Sequence, residues 1–449
     1  MQRGVIRSGR HAAGQPATLS IVGARLLDPW SGQDRVADVH VAGGRIVAVG
    51  SQPAGFSAER TLDAKGLVLM PGIVDLAARL REPGFEYRAS LESEMHAAVA
   101  GGVTALVCPP DTDPALDEPG LVEMLKHRAR NLGLAKLFPL GALTVGLKGE
   151  RLTEMAELTE AGCVGFGQAL SPILDTRSLQ RAMQYAHSHG FTVWLNPVDP
   201  WLGRGGVMHA GPFASRLGLA GDPVASEVIA IHTIREVAAT VGCRVHLCRI
   251  SSAAGVSLVR EAKAAGLPFT ADVAVHHLHL TDVDVGFFDT RFRVQPPFRS
   301  QRDREALQKG LLDGTIDAVC SDHTPVDEDG KRVPFGEAEH GATALELLLP
   351  LTLKWAQGQQ AGLMTVVERL TRIPAGIAGI DPARKDEPAG LAVGAQANLC
   401  LFNPDEFWRV SEDALWSQGK DTPYLGLEVQ GRVRATVVEG RLVYEAHVA

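Results

Sequence analysis

The sequence predicts an α/β fold: a TIM-like (β/α)8 barrel joined to a small β-sandwich assembled from the two chain ends. Three observations carry this. From residue 68 to about residue 375, short apolar runs rich in Val, Ile and Leu alternate with amphipathic segments of helical period, the pattern of a parallel sheet with crossover helices. Eight such runs fall within ~300 residues, the number and span of a closed barrel. Both ends, 18–67 and 380–449, read instead as short strands separated by Gly and Asp turns.

In chain order, residues 1–17 are basic and lack an apolar core, so they are expected to form a mobile N-terminal extension and not a secretory signal. Short strands follow at 19–22, 38–41 and 45–49. The barrel domain is expected over 68–379. Its strands should end near Leu76, Cys108, Leu140, Phe166, Leu195, Leu247, Val273 and Cys320, with helical patterns between them such as 90–99 and 302–312. Strands at 397–402, 432–438 and 441–444 complete the sandwich of 18–67 and 380–449. The first barrel strand is expected within 68–76, an apolar run interrupted by Pro71-Gly72. The polar residues Asp75, Arg79, Arg81 and Glu82 begin where it should end, and in a parallel barrel chemistry sits at that C-terminal edge.

Bulk properties exclude several classes. A chain of 449 residues can bury a large core, and 45% apolar against 21% charged residues is the balance of a soluble globular protein. A net charge of -8 gives no basis for nucleic-acid binding. No apolar run approaches the ~18 residues of a membrane span; the longest, 345–353, contains Glu346 and Pro350. The six cysteines form no CxxC pair and several lie in strand-like runs, so buried, reduced thiols and a cytoplasmic location are expected.

The stretch 68–84, VLMPGIVDLAARLREPG, resembles the first barrel strand of the dihydroorotases, in the cyclic amidohydrolase superfamily. Their motif runs Pro-Gly-x-x-Asp-x-His-x-His-x-Arg-Glu-x-Gly, with both histidines on zinc. This chain keeps Pro71, Gly72, Asp75, Arg81, Glu82 and Gly84 but carries Ala77 and Arg79 at the histidine positions. The resemblance extends from about residue 19 to 443 through His276-His277-Leu278, Glu346-Leu347-Leu348 and the loop 417–423. It implies a barrel of the metal-dependent hydrolase type.

Carried over position by position, the resemblance implies a degenerate metal site. A catalytic zinc needs three or four N, O or S ligands. Ala77 has no donor atom, and Arg79 is a permanent cation. Gln168 stands at the bridging carboxylated lysine, Asn196 at the strand-five histidine and Arg249 at the second strand-six histidine; His246 is the non-ligand partner of that pattern. Asp322 remains where the family has its catalytic aspartate, and Val326 replaces a later histidine. Arg79 or Arg249 is therefore expected to pair with Asp322, and with Asp75 as a further candidate, in place of the metal's charge. Arg81 matches the arginine that grips the substrate carboxylate. Asp111 replaces its Asn partner and Gln295 another Asn, so Arg81, Asp111, His276 and Gln295 outline a candidate anion or substrate pocket. Arg81 could equally hold its loop through Glu82 or Glu86, and His246, His276 and His277 could simply be packed, hydrogen-bonded histidines.

What the resemblance implies for function is a pseudo-dihydroorotase of pyrimidine biosynthesis, without zinc or another cofactor, acting as a structural or regulatory partner of the aspartate transcarbamoylase catalytic chain. Asp322 is then a relic and no catalytic residue is expected. The competing expectation is a zinc-dependent dihydroorotase, or related cyclic amidohydrolase, whose site is rebuilt from His246, Asp322, His323 and Cys248 or Asp199. A third is an anion sensor using Arg79, Arg81 and Arg249 without chemistry.

Overall fold

The computed structural model describes residues 4–6 and 18–447. Eight short parallel strands form the barrel: β1 (Ile73–Asp75), β2 (Val103–Cys108), β3 (Lys136–Pro139), β4 (Phe166–Gly167), β5 (Thr192–Leu195), β6 (Arg244–Leu247), β7 (Phe269–Ala274) and β8 (Ala318–Cys320). Each ends within one residue of the position expected from the apolar runs. Ladders join β1 to β3 and β4 to β8. Between β3 and β4 the short strand Gly141–Ala142 pairs in parallel with Phe166–Gly167, and the Val164 amide donates to the Pro139 carbonyl at 3.1 Å. A parallel bridge between Ala78 and His323 closes the ring. The axis is filled by Leu76, Ala77, Val107, Leu140, Trp194, Ala274, Ala318 and Cys320, so it is a packed core and not a pore.

The crossover helices begin where local chemistry caps them. Ser90 accepts the Ser93 amide ahead of Leu91–Ala100, and Ser300 with Asp303 forms a capping box ahead of Gln301–Asp313. Their apolar faces pack outside the barrel strands in one large core.

Nine strands from the two chain ends form one continuous sheet around a second, smaller core. Leu19–Asp28, Gln33–Ala42, Arg45–Val49 and Arg60–Asp63 supply one side; Leu399–Arg409, Glu428–Val438 and Arg441–Glu445 supply the other. The strand Val68–Pro71 joins them, antiparallel to Leu399–Phe402 and parallel to Arg25–Leu26. The expected barrel domain of 68–379 therefore starts too early: its first four residues belong to the end sheet, where they lie between Leu399–Arg409 and Leu19–Asp28. The chain crosses between sheets at Pro71-Gly72. The Gly72 amide still donates to the Asn398 carbonyl at 2.8 Å, while a Cβ at Gly72 would lie 2.1 Å from Thr104 Oγ1.

The expected mobile extension 1–17 also needs correction. Val5 and Ile6 pair with Glu445 and Tyr444 as an edge strand; residues 1–3 and 7–17 lie outside the described residues. All six cysteines are free thiols, five of them buried. Among the described residues no helix is long and apolar enough to cross a membrane.

Candidate functional site

The C-terminal ends of β1, β2, β6 and β8 converge on Asp322. Its Oδ1 accepts from Arg249 Nη1 at 2.7 Å and from Arg79 Nη1 at 3.2 Å. Arg79 also donates through Nε to Asp111 Oδ2 at 2.8 Å and through Nη1 to Thr324 Oγ1 at 3.1 Å. Both arginines and Asp322 are buried, while Asp111 is a quarter exposed. Three residues of this edge, Arg81, Arg249 and Asp322, hold the left-handed backbone conformation, with φ of 64°, 56° and 49°. Non-glycine residues adopt it at a cost of about 1 kcal/mol or more each, and such strain collects at sites whose geometry the surrounding fold imposes.

Burial alone would raise the Asp322 carboxyl, but the Arg249 and Arg79 charges outweigh it and hold the pKa below the ordinary carboxylate range. Asp111 is held low in the same way, chiefly by Arg79. Burial pulls against the Arg249 cation, yet Asp322 keeps it more firmly charged than an ordinary arginine. Arg81 differs. Its Nε donates to the Pro325 carbonyl at 2.8 Å, and it makes no ion pair among the described residues. Burial, then Arg79 and Arg88, push its pKa down to about 10. The expected pairing of Arg81 with Glu82 or Glu86 is not formed: Glu82 binds the Leu91 amide and Arg128, and Glu86 binds the Gly84 amide.

Asp75 does not pair with either arginine. It accepts from the amide and hydroxyl of Ser321, and burial raises its pKa to about 6 despite those bonds. Asp111, placed in the candidate anion or substrate pocket, is taken by Arg79. His276 is buried with no hydrogen-bond partner on either ring nitrogen and stacks on Tyr424 at 5.6 Å. Burial and His277 push its pKa down to about 3, so it is neutral at physiological pH. Gln295 is half-buried and its side chain makes no hydrogen bond to the described residues. Gln168 is buried and bonds on both amide atoms to Thr144 Oγ1, at 2.9 and 3.1 Å. Asn196 is half-buried, and Ala77 packs into the barrel axis.

The groups that could rebuild a metal site are committed elsewhere. His246 bonds Asp272 at 3.0 Å and Thr270 at 2.8 Å beneath Trp194. His323 accepts the Ala344 amide at Nδ1 and donates from Nε2 to Glu94 at 2.5 Å. Asp199 holds the Trp201 and Leu202 amides, and burial pushes the Cys248 thiol up. Among the described residues no three His, Cys, Asp or Glu side chains gather as a cation site. A zinc ion does not fit this donor set: its central carboxylate, Asp322, is clasped by two guanidinium groups that repel a divalent ion.

Two anchors were not visible in the sequence. Glu94 ties His323, Ser417 and the Gln418 amide together, and Glu227 takes both amides and both hydroxyls of Ser251 and Ser252 below Arg249. Nothing in local spacing marks either; each lies in a helix that reads as an ordinary amphipathic segment.

The family model described as dihydro-orotase-like matches residues 66–254. A dihydroorotase-like protein of Pseudomonas aeruginosa is 44% identical over 429 residues, 95% of this chain and 100% of that protein. A dihydroorotase of Geobacter sp. strain M21 is 38% identical over 428 residues, 95% of this chain and 99% of that protein. The solved L-hydantoinase (dihydropyrimidinase) of Arthrobacter aurescens superimposes with a TM-score of 0.85 at 24% identity, covering 96% of this chain and 97% of that one, a likeness of fold.

Proposed function

The chain belongs to the dihydroorotase-like family of the amidohydrolase superfamily, and from that premise we propose that it is a catalytically silent member that serves pyrimidine biosynthesis as a structural or regulatory subunit. The observation that carries the reading is the clasp of Arg79 and Arg249 on Asp322. In the active family this carboxylate works beside zinc. Here two fixed cations occupy its surroundings, and its pKa is held below the range in which it could take up a proton at neutral pH. The neighbouring imidazoles His276 and His277 are buried and neutral, with pKa values near 3 and 4. The names of the relatives fit both this reading and the alternative, a zinc-dependent dihydroorotase or related cyclic amidohydrolase. The clasp and the scattered histidines favour the silent form.

The partner proposed is the aspartate transcarbamoylase catalytic chain, on the strength of the family resemblance, with the cytoplasm as its location. Arg81, buried without an ion pair, leaves the barrel mouth with surplus positive charge that an anion could neutralise. Two measurements test the reading. Metal analysis of the purified chain, with a dihydroorotate assay in added zinc, is expected to show neither stoichiometric zinc nor turnover; both together would establish the alternative. Co-expression with the transferase chain is expected to give co-elution in size-exclusion chromatography and altered transferase activity. Separate elution beside a fully active lone transferase would remove the subunit role.

A further inference from the structure

Two of the degenerate positions, Gln168 and Asn196, share a cavity of about 150 Å³ that opens beside the barrel between the loops after β4 and β5 and the helix Val224–Val241. Its walls are largely apolar, with Ile173, Leu174, Trp201 and Ile229 among them. Three of these are unusually exposed at the opening: Trp201 at 68%, Leu174 at 60% and Ile229 at 45%. Large apolar side chains grouped around a concave opening mark a place where something docks. Asp199 is the only formally charged residue in the lining, and its Oδ1 is engaged by the Trp201 and Leu202 amides. No lysine or arginine lines the cavity. Gln168 has both amide atoms bonded to Thr144, whereas the Asn196 carboxamide makes no hydrogen bond to the described residues. The cavity therefore presents the Asn196 donor–acceptor pair among largely apolar walls, with the Asp199 carboxylate as its one charge and no cation.

We propose that this cavity is a binding site for an uncharged, ring-sized organic ligand, with its apolar ring between Trp201, Leu174 and Ile229 and an amide-like edge on Asn196. The volume is about that of a cavity known to accept benzene. A lining with one carboxylate and no cation selects against carboxylates, which would leave water without a positive partner to meet them. None of Arg79, Arg81, Arg249 and Asp322 lines this cavity, and the proposal does not depend on the chain being catalytically silent.

Benzamide and benzoate are suitable probes, differing by amide against carboxylate. Titration of the intact protein, followed by ligand-observed NMR, is expected to show saturable benzamide binding with a Kd of about 1 mM, within the affinity that small ligands reach per atom. Benzoate is expected to bind at least about tenfold more weakly, the scale of one unmet charge. Ala230→Phe, which adds a ring to the cavity wall from the outer helix, should abolish benzamide binding, and Asn196→Leu should weaken it about tenfold, one polar pair's worth. Thermal midpoints would show that both variants fold. Absence of saturable benzamide binding, benzoate binding as tightly as benzamide, or benzamide binding unchanged in folded Ala230→Phe would each overturn the proposal.

Discussion

Asp322 retains its position but has changed its company. A buried carboxylate needs a compensating cation, and two guanidinium groups supply more than one. Arg249→Met keeps the volume of the side chain and removes the closer of the two charges, leaving Asp322 to Arg79 at 3.2 Å. Breaking one partner of a buried ionic cluster costs roughly 3 kcal/mol, so the urea midpoint of this variant should fall by that equivalent. A change within about 0.5 kcal/mol would mean that Arg249 contributes nothing to holding the site. At this scale the sequence was partly legible. The register of the motif around Asp75, Arg79 and Arg81 set which residues reach the mouth, and the strand-six and strand-eight patterns brought Arg249 and Asp322 to the same edge. The choice of partners was not legible. Arg79 bonds Asp111 and Asp322, whereas Asp75, a further candidate from the sequence, is taken by the hydroxyl of Ser321.

Among elements, helices and strands were readable because their chemistry is local: Ser90 and Ser300 announce helix starts, and β-branched runs announce strands. The clamps between elements are long-range and were silent. Glu346, at the start of the buried helical stretch 345–359, accepts the Trp416 and Ser417 amides and so fastens the C-terminal loop to the barrel. Burial raises its pKa to about 7, outweighing those two amides and Lys420, with Glu94 adding repulsion. A raised folded-state pKa means that the native protein holds a proton which the unfolded chain releases at its ordinary lower value. The associated stability is complete in acid and is lost as pH rises through about 7. Glu346→Gln removes that dependence. Comparing denaturant midpoints from pH 5 to pH 8, the wild-type chain should lose stability relative to the variant, approaching 3 kcal/mol at the shift's full span at about 1.4 kcal/mol per unit. Parallel curves would show that Glu346 is already ionised at pH 5.

For the whole molecule, the alternation of strand and helix was enough to predict the barrel, and the shared texture of the two ends was enough to place both in one β-rich region. What it could not show is where one sheet hands the chain to the other. Val68–Pro71 looks like the start of a barrel strand because buried barrel strands and this inner strand of the end sheet share the same apolar composition. The consequence is mechanical coupling. The linking strand leads into β1 after the single residue Gly72, and Gly431 of the end sheet abuts Leu353 of a barrel helix, where a Cβ would lie 2.4 Å from Leu353 Cδ1. Thr436 Oγ1 donates to the Val99 carbonyl at 2.7 Å, binding the same strand to the helix between β1 and β2. Two cores joined in this way should unfold as one. Leu401→Ala in the end core and Leu311→Ala in the barrel core each empty a buried site and should cost about 2–5 kcal/mol. In calorimetry each variant should lower the midpoint of one shared transition, and fluorescence and far-UV circular dichroism should report the same midpoint. If Leu401→Ala splits off a low-temperature transition while the barrel signal stays in place, the end sheet is an appendage and not a structural part of the barrel's first strand.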